Sequence, residues 1–204
     1  MPVFKLFAFT SPTKAAALSA VTLAVSLVGT TANAFTAASE VCSASALTAT
    51  FTNASTASYV ACSGAWVGKL APSSAAAVSA LILSDFALTA SYAGKSDDSG
   101  NGLFTSNPGT SSGTLTFDNA QLGFFVIGLK SSTNFSLYEF NGGALGISSI
   151  SFNTSGVAVN KQGKAQDLSH AAVYAVTAVP EPESYALMLA GVAAVGFVAR
   201  RRKA

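Results

Sequence analysis

Gly109-Thr110-Ser111-Ser112-Gly113 has the G-x-S-x-G spacing that exposes a serine hydroxyl at a sharp strand-to-helix turn. Such a serine becomes a nucleophile only when a histidine can take its proton and an acid orients that histidine. Asp118, Asp167 and His170 do follow in the chain. The flanks are wrong, however. Ser106-Asn107-Pro108 precedes the pattern, and a strand-like run, Thr114-Leu115-Thr116-Phe117, follows it where a helix is required. The stretch reads as a Gly/Ser hairpin loop, and no catalytic residue is assigned.

Asp97-Asp98-Ser99-Gly100-Asn101-Gly102 places oxygen-bearing residues at alternate positions before a glycine, as the first half of an EF-hand loop does. Its twelfth position is Pro108, where a bidentate Glu is needed, so the EF-hand is excluded. A looser calcium site on Asp97 and Asp98 stays open against a plain polar turn. His170 is the single histidine of the chain. One His with two cysteines makes no credible zinc site, so neither a metal nor a cofactor is assigned. Trp66, Tyr59, Tyr92 and Tyr138 could form a sugar-stacking platform. For Trp66, between Ala65 and Val67, core packing is the stronger reading. Three sequons begin at Asn53, Asn134 and Asn153.

The elements that would carry these residues read as strands and turns. Alternation appears at Leu47-Ala49-Phe51, Ala80-Ile82, Phe86-Leu88-Ala90, Leu115-Phe117 and Ile150-Phe152. The runs Leu122 to Leu129 and Val173 to Val176 look buried on both faces. Turn residues separate them at Asn101-Gly102, Asn141-Gly142-Gly143 and Ser155-Gly156. Short strands at such spacing predict an all-β domain, an antiparallel, jelly-roll-like β-sandwich. Pro72 to Leu83 has some helical character, but it reads as a loop leading into a strand.

The two ends of the chain differ from this middle. Met1 to Ala34 carries Lys5 and Lys14 ahead of an uncharged apolar stretch, then Ala32-Asn33-Ala34. This predicts a signal peptide over 1–34, cut by signal peptidase between Ala34 and Phe35, with a retained anchor as the alternative. At the other end, Val179-Pro180-Glu181-Pro182-Glu183 resists helix, because proline lacks an N–H and holds its predecessor extended. An uncharged run follows from Tyr185 to Ala199, then Arg200, Arg201, Arg202 and Lys203. Fifteen helical residues reach about 22 Å, short for a bilayer. Snorkelling arginines and an interfacial Tyr185 extend that reach, so a single transmembrane helix is predicted over 185–199 with its basic end cytoplasmic.

A domain at 35–178 is left, large enough for a core of its own. It holds five lysines against seven acids, so its net charge is −2 and the basic character of the chain lies in its ends. Nothing here forms an electrostatic footprint for nucleic acid. Cys42 and Cys62 are the two cysteines. In an exported domain they predict one disulfide; the competing nucleophilic cysteine would lack a nearby histidine.

The ordered triple of Pro-Glu-Pro, apolar helix and arginine cluster over 179–204 resembles the PEP-CTERM sorting signal of Gram-negative bacteria. That resemblance implies recognition by an exosortase, a membrane-embedded cysteine protease-transpeptidase. It further implies transient residence in the inner membrane, removal of the tail near Pro-Glu-Pro, and release or attachment at the cell surface. No LPxTG motif is present for a sortase, and a lipid-anchor signal would end in its apolar stretch. The second half of the domain also resembles a sandwich recurrent in PEP-CTERM proteins. The matching pieces are Cys62-Ser63-Gly64-Ala65-Trp66, Gly128-Leu129-Lys130, Phe135-Ser136-Leu137-Tyr138, Ser155-Gly156-Val157 and Asp167-Leu168-Ser169-His170-Ala171. It implies a fold and an export route without an associated chemistry.

Two function classes follow. One is a non-catalytic structural protein of the extracellular or biofilm matrix. The other is a carbohydrate- or surface-binding module at the cell envelope, with exopolysaccharide as its candidate partner. An exposed aromatic row beside the acidic loop would favour the second.

Overall fold

The computed structural model describes residues 35–98, 103–105, 107–177 and 190–192. Among them the chain forms ten strands in two antiparallel sheets. They are β1 (Thr36–Ala37), β2 (Thr48–Phe51), β3 (Thr56–Ser58), β4 (Ala61–Val67), β5 (Ala90–Lys95), β6 (Ser112–Gln121), β7 (Phe124–Ser131), β8 (Asn134–Asn141), β9 (Ile147–Asn153) and β10 (Leu168–Val176). The larger sheet has the order β1-β4-β8-β7-β10-β5, and the smaller has β3-β2-β9-β6. The all-β expectation holds at this level. Only β2–β3 and β7–β8 are hairpins of adjacent strands; elsewhere the chain passes from sheet to sheet or, from β4 to β5, crosses the larger one to its far edge.

Period-2 patterning sorts the side chains. Leu47, Ala49, Leu115, Phe117, Ile150 and Phe152 from the small sheet meet Phe125, Ile127, Leu129, Tyr138, Phe140 and Val173 from the large one. That is the core between the sheets. The opposite face of the large sheet presents Val126, Phe135, Leu137, Ala172 and Tyr174, and these pack under a helix. Burial on both faces explains the near-continuous apolar runs in the central strands. The expectation for Leu122 to Leu129 holds from Phe125 onward, while Leu122 and Phe124 themselves are exposed. For the last strand the buried run is Ala171 to Tyr174, shifted from the expected Val173 to Val176.

The helix corrects one reading. Pro72 to Leu83 was expected to lead into a strand; instead α1 spans Ala75–Phe86, and Ala80-Ile82 and Phe86 belong to it. A short 3-10 turn, Pro72–Ser74, starts it, with the Ser74 hydroxyl donating to the Lys69 carbonyl at 2.7 Å. Three alanines propagate it, and Val78, Leu81 and Ile82 fall on one buried face at helical spacing. Ala87 closes it in the left-handed region at φ 57°. A three-residue alternation fits both periods; the greasy outer face of the large sheet selects the helical one.

Glycine matters where backbones and side chains approach. At Gly128 in the middle of β7, a Cβ would lie 2.6 Å from Leu70 Cδ1. At Gly142, between β8 and β9, it would lie 2.0 Å from the Gln121 carbonyl oxygen. The expected spanning helix over 185–199 lies outside the described residues apart from 190–192, which are helical. Among the described residues no helix is long and apolar enough to cross a membrane. Residues 1–34 also lie outside them.

Candidate functional site

In sequence, the end of β10 leads toward the Pro-Glu-Pro segment. This strand lies inside the large sheet, pairing with β7 on one side and β5 on the other. Val176 sits opposite Ala90, and the next residue, Thr177, donates its N–H to the Thr89 carbonyl at 3.0 Å. The Thr177 hydroxyl donates to the same oxygen at 3.2 Å. Two residues later comes Val179, the first residue of the Val179-Pro180-Glu181-Pro182-Glu183 segment. That segment and Arg200 to Lys203 lie outside the described residues. The sorting segment is therefore joined to an interior strand with almost no linker.

At the start of the domain, Phe35, the expected first residue after signal cleavage, is packed in place. Its ring meets Phe135 edge-on at 4.9 Å between centroids. It also covers Gly68, where a Cβ would come within 2.5 Å of the ring. Ala38 then donates to the Ala65 carbonyl at 2.8 Å.

Cys42 and Cys62 are bonded to each other, with their Cα atoms 5.9 Å apart. The bridge ties the 3-10 turn Cys42–Ala44 to β4. The Tyr138 hydroxyl, fully buried, donates to the Cys42 carbonyl at 3.2 Å. Burial pushes that phenol up to about 12.

The acidic turn is occupied by the protein's own cation. Lys95 Nζ lies 3.0 Å from Asp97 Oδ1 and 3.1 Å from Asp98 Oδ1. Hydrogen bonding to Asp97 raises the lysine pKa. No group of three or more metal-binding side chains forms among the described residues. His170 packs beside this turn. Its Nε2 is 2.6 Å from the Leu70 carbonyl, a contact only an N–H can make, so the neutral ring carries its proton there. Nδ1 faces Asp97 Oδ2 at 3.7 Å. Burial lowers the pKa against the opposing pull of the carbonyl and Asp97.

The aromatic residues do not assemble into one platform. Tyr59 and Tyr138 meet edge-on at 5.4 Å and belong to the core between the sheets. Tyr92 packs on Tyr174 at 5.7 Å beneath the helix side of the large sheet. Trp66 lies on that same side, half-buried, with Nε1 donating to Ser63 Oγ at 2.9 Å. Ser63 in turn donates to the Asp85 carboxylate on α1. This Trp66-Ser63-Asp85 relay, which fastens the helix to β4, had no sequence signal. Of the Gly109 to Gly113 stretch, Gly109 to Ser111 form a loop and Ser112 and Gly113 begin β6, whose partner is β9 rather than the preceding strand.

An open groove of about 490 Å³ lies beside the disulfide, lined by Ser43, Ser45, Thr48, Ser58 and Tyr59 among others. It offers hydroxyls and one aromatic ring, with no charge.

Comparison with known families matches residues 178–203 to the PEP-CTERM protein-sorting motif. Comparison with curated proteins and with solved structures gives no significant match. The matched stretch begins at the residue after Thr177.

Proposed function

We propose that this chain is a non-catalytic structural protein of the extracellular or biofilm matrix, delivered there by an exosortase. The observation that carries the reading is the PEP-CTERM match at 178–203, which supports export, exosortase processing and a cell-surface or extracellular destination. In this reading signal peptidase cuts between Ala34 and Phe35, and the 185–199 helix halts the chain in the inner membrane. The Arg200 to Lys203 cluster holds its cytoplasmic end, and the exosortase acts near Pro180-Glu181-Pro182. The non-catalytic assignment is supported by how the polar groups are used. Asp85, Asp97, Asp98 and His170 all serve contacts that hold elements together.

Intact mass of the protein recovered from the cell surface or medium of its native host tests this directly. A species beginning at Phe35 and ending near Pro-Glu-Pro is expected, with any excess mass reporting an attached group. A species retaining Tyr185 to Ala204 would sink the exosortase reading. Replacing Pro180-Glu181-Pro182 by alanines should leave export intact and hold the protein in the inner membrane.

The second reading, a carbohydrate-binding module, is favoured by the hydroxyl-lined groove at Tyr59. Titration with the host's exopolysaccharide checks it: heat of binding that Tyr59→Ala abolishes would support it, and none at all would remove it.

A further inference from the structure

Strand register places a set of exposed apolar side chains at the end of the sandwich from which the tail departs. Ala175 pairs with Phe125, Phe124 with Asn141, Ala61 with Glu139, and Val176 with Ala90. The start of β7, the end of β8, the start of β4 and the end of β10 therefore lie side by side. Two loops interlock there, with Gly123 donating to the Gly143 carbonyl at 2.9 Å and Gly142 to the Gly123 carbonyl at 2.7 Å. Leu122 lies over Gly146, where a Cβ would meet its Cδ2 at 3.0 Å, next to Leu145. Leu122 is 63% exposed, Val60 60%, Leu145 54% and Phe124 45%. The other exposed large apolar side chains of the domain, Val41, Val67 and Leu83, lie elsewhere, and a group of four at one end is the kind of surface that marks an interaction site.

The lysines are distributed the opposite way. Lys130 pairs with His170 and Lys95 with Ala172, both toward the start of β10. Lys69 follows Val67, which pairs with Asn134 at the same end, and Lys161 and Lys164 lie in the loop that enters β10. All five lysines of the domain thus lie away from the apolar tip.

We propose that this tip rests on the bilayer surface from which the tail emerges, with Leu122, Phe124, Leu145 and Val60 dipping into the interface. The inference rests on the reading that 185–199 enters the membrane. From Thr177 to Tyr185 is eight residues, a reach of at most about 28 Å even when fully extended. The tip that bears the tail is thereby held at high effective concentration against lipid. Without lysines it binds by apolar insertion, so its contact is insensitive to salt. The domain then presents its exit strand to the membrane plane, where a membrane-embedded processing enzyme works.

The full chain, purified from membranes of a host lacking exosortase, is reconstituted into phosphatidylethanolamine vesicles with brominated acyl chains. Trp66 pairs with Phe135 toward the opposite end and serves as the internal control. A Leu122→Trp variant adds a reporter at the tip, and Leu145→Trp repeats it should the first fail to fold. The expected result is blue-shifted tip emission quenched by brominated lipid at low and high salt, Trp66 unquenched, and protein resistant to carbonate extraction. Unquenched tip emission in carbonate-resistant protein overturns the docking and leaves the tail reading standing. Release by carbonate overturns both. Quenching lost in high salt, or seen only with exosortase co-reconstituted, overturns lipid insertion in favour of headgroup charge or a protein partner.

Discussion

Thr177 and Thr89 are joined twice: one carbonyl oxygen of Thr89 accepts both the amide, at 3.0 Å, and the hydroxyl, at 3.2 Å, of Thr177. The pair fastens the end of β10 to the residue before β5, one residue ahead of the matched sorting motif. Thr177→Pro removes both donors and should cost about 1 kcal/mol. Hydrogen exchange is the check. The amides of Ala175 and Val176 should lose protection while those of Ala171 to Val173 keep theirs; uniform loss would mean that the whole strand depends on this contact.

The Cys42–Cys62 bridge closes a loop across a sequence separation of 20. Paired Cys42→Ala and Cys62→Ala substitution should lower stability by about 3 kcal/mol if the bridge acts by restricting the unfolded chain. Urea unfolding with and without reductant measures it. A reduced wild-type protein as stable as the oxidised one would show that the Tyr138 contact to Cys42 carries this corner alone.

His170 should make stability depend on pH. Its folded pKa is depressed below 6.5, chiefly by burial, so the native state binds fewer protons than the unfolded chain in that window. The neutral-ring stability is present above 6.5 and lost as pH falls through the depressed value. Asp97 opposes the depression, while Lys95 and Lys130 add to it. The urea midpoint of the wild type should fall between pH 7.5 and 5 by more than that of His170→Gln. Equal falls would remove His170 as the cause.

Gly128→Ala sets a methyl against Leu70, which is fully buried. Overpacking of this kind should cost about 1–3 kcal/mol. Adding Leu70→Val should return part of that loss, a coupling that a double-mutant cycle reads out. Strict additivity would show that the β7 backbone, not Leu70, absorbs the strain.

Legibility followed the length of each pattern. Leu115-Phe117 and Ile150-Phe152 sit in strands whose partners repeat the same alternation, so period 2 identified their buried faces correctly. Ala80 to Ile82 was too short to separate a strand from a helix, and the reading failed there. The acidic turn left a calcium site open against a plain polar turn because its carboxylates are adjacent in sequence; only the folded structure shows that Lys95, two residues before Asp97, pairs with both. The aromatic platform dissolved for a related reason, since Tyr59 and Tyr138 face one layer while Trp66 and Tyr92 face the other.

What the amino-acid order determined by itself is local: the alternating faces, the cysteine pair, and the proline, apolar and arginine blocks that form the sorting motif. Each acts through its own chemistry over a few residues. What only the tertiary structure decided is which ends of which strands share one end of the sandwich. Register is a cooperative property of all ten strands, and it set Leu122, Leu145 and Val60 at the end of the sandwich where β10 ends. No local pattern carries that relation, because hydrogen-bonded pairing between distant segments creates it.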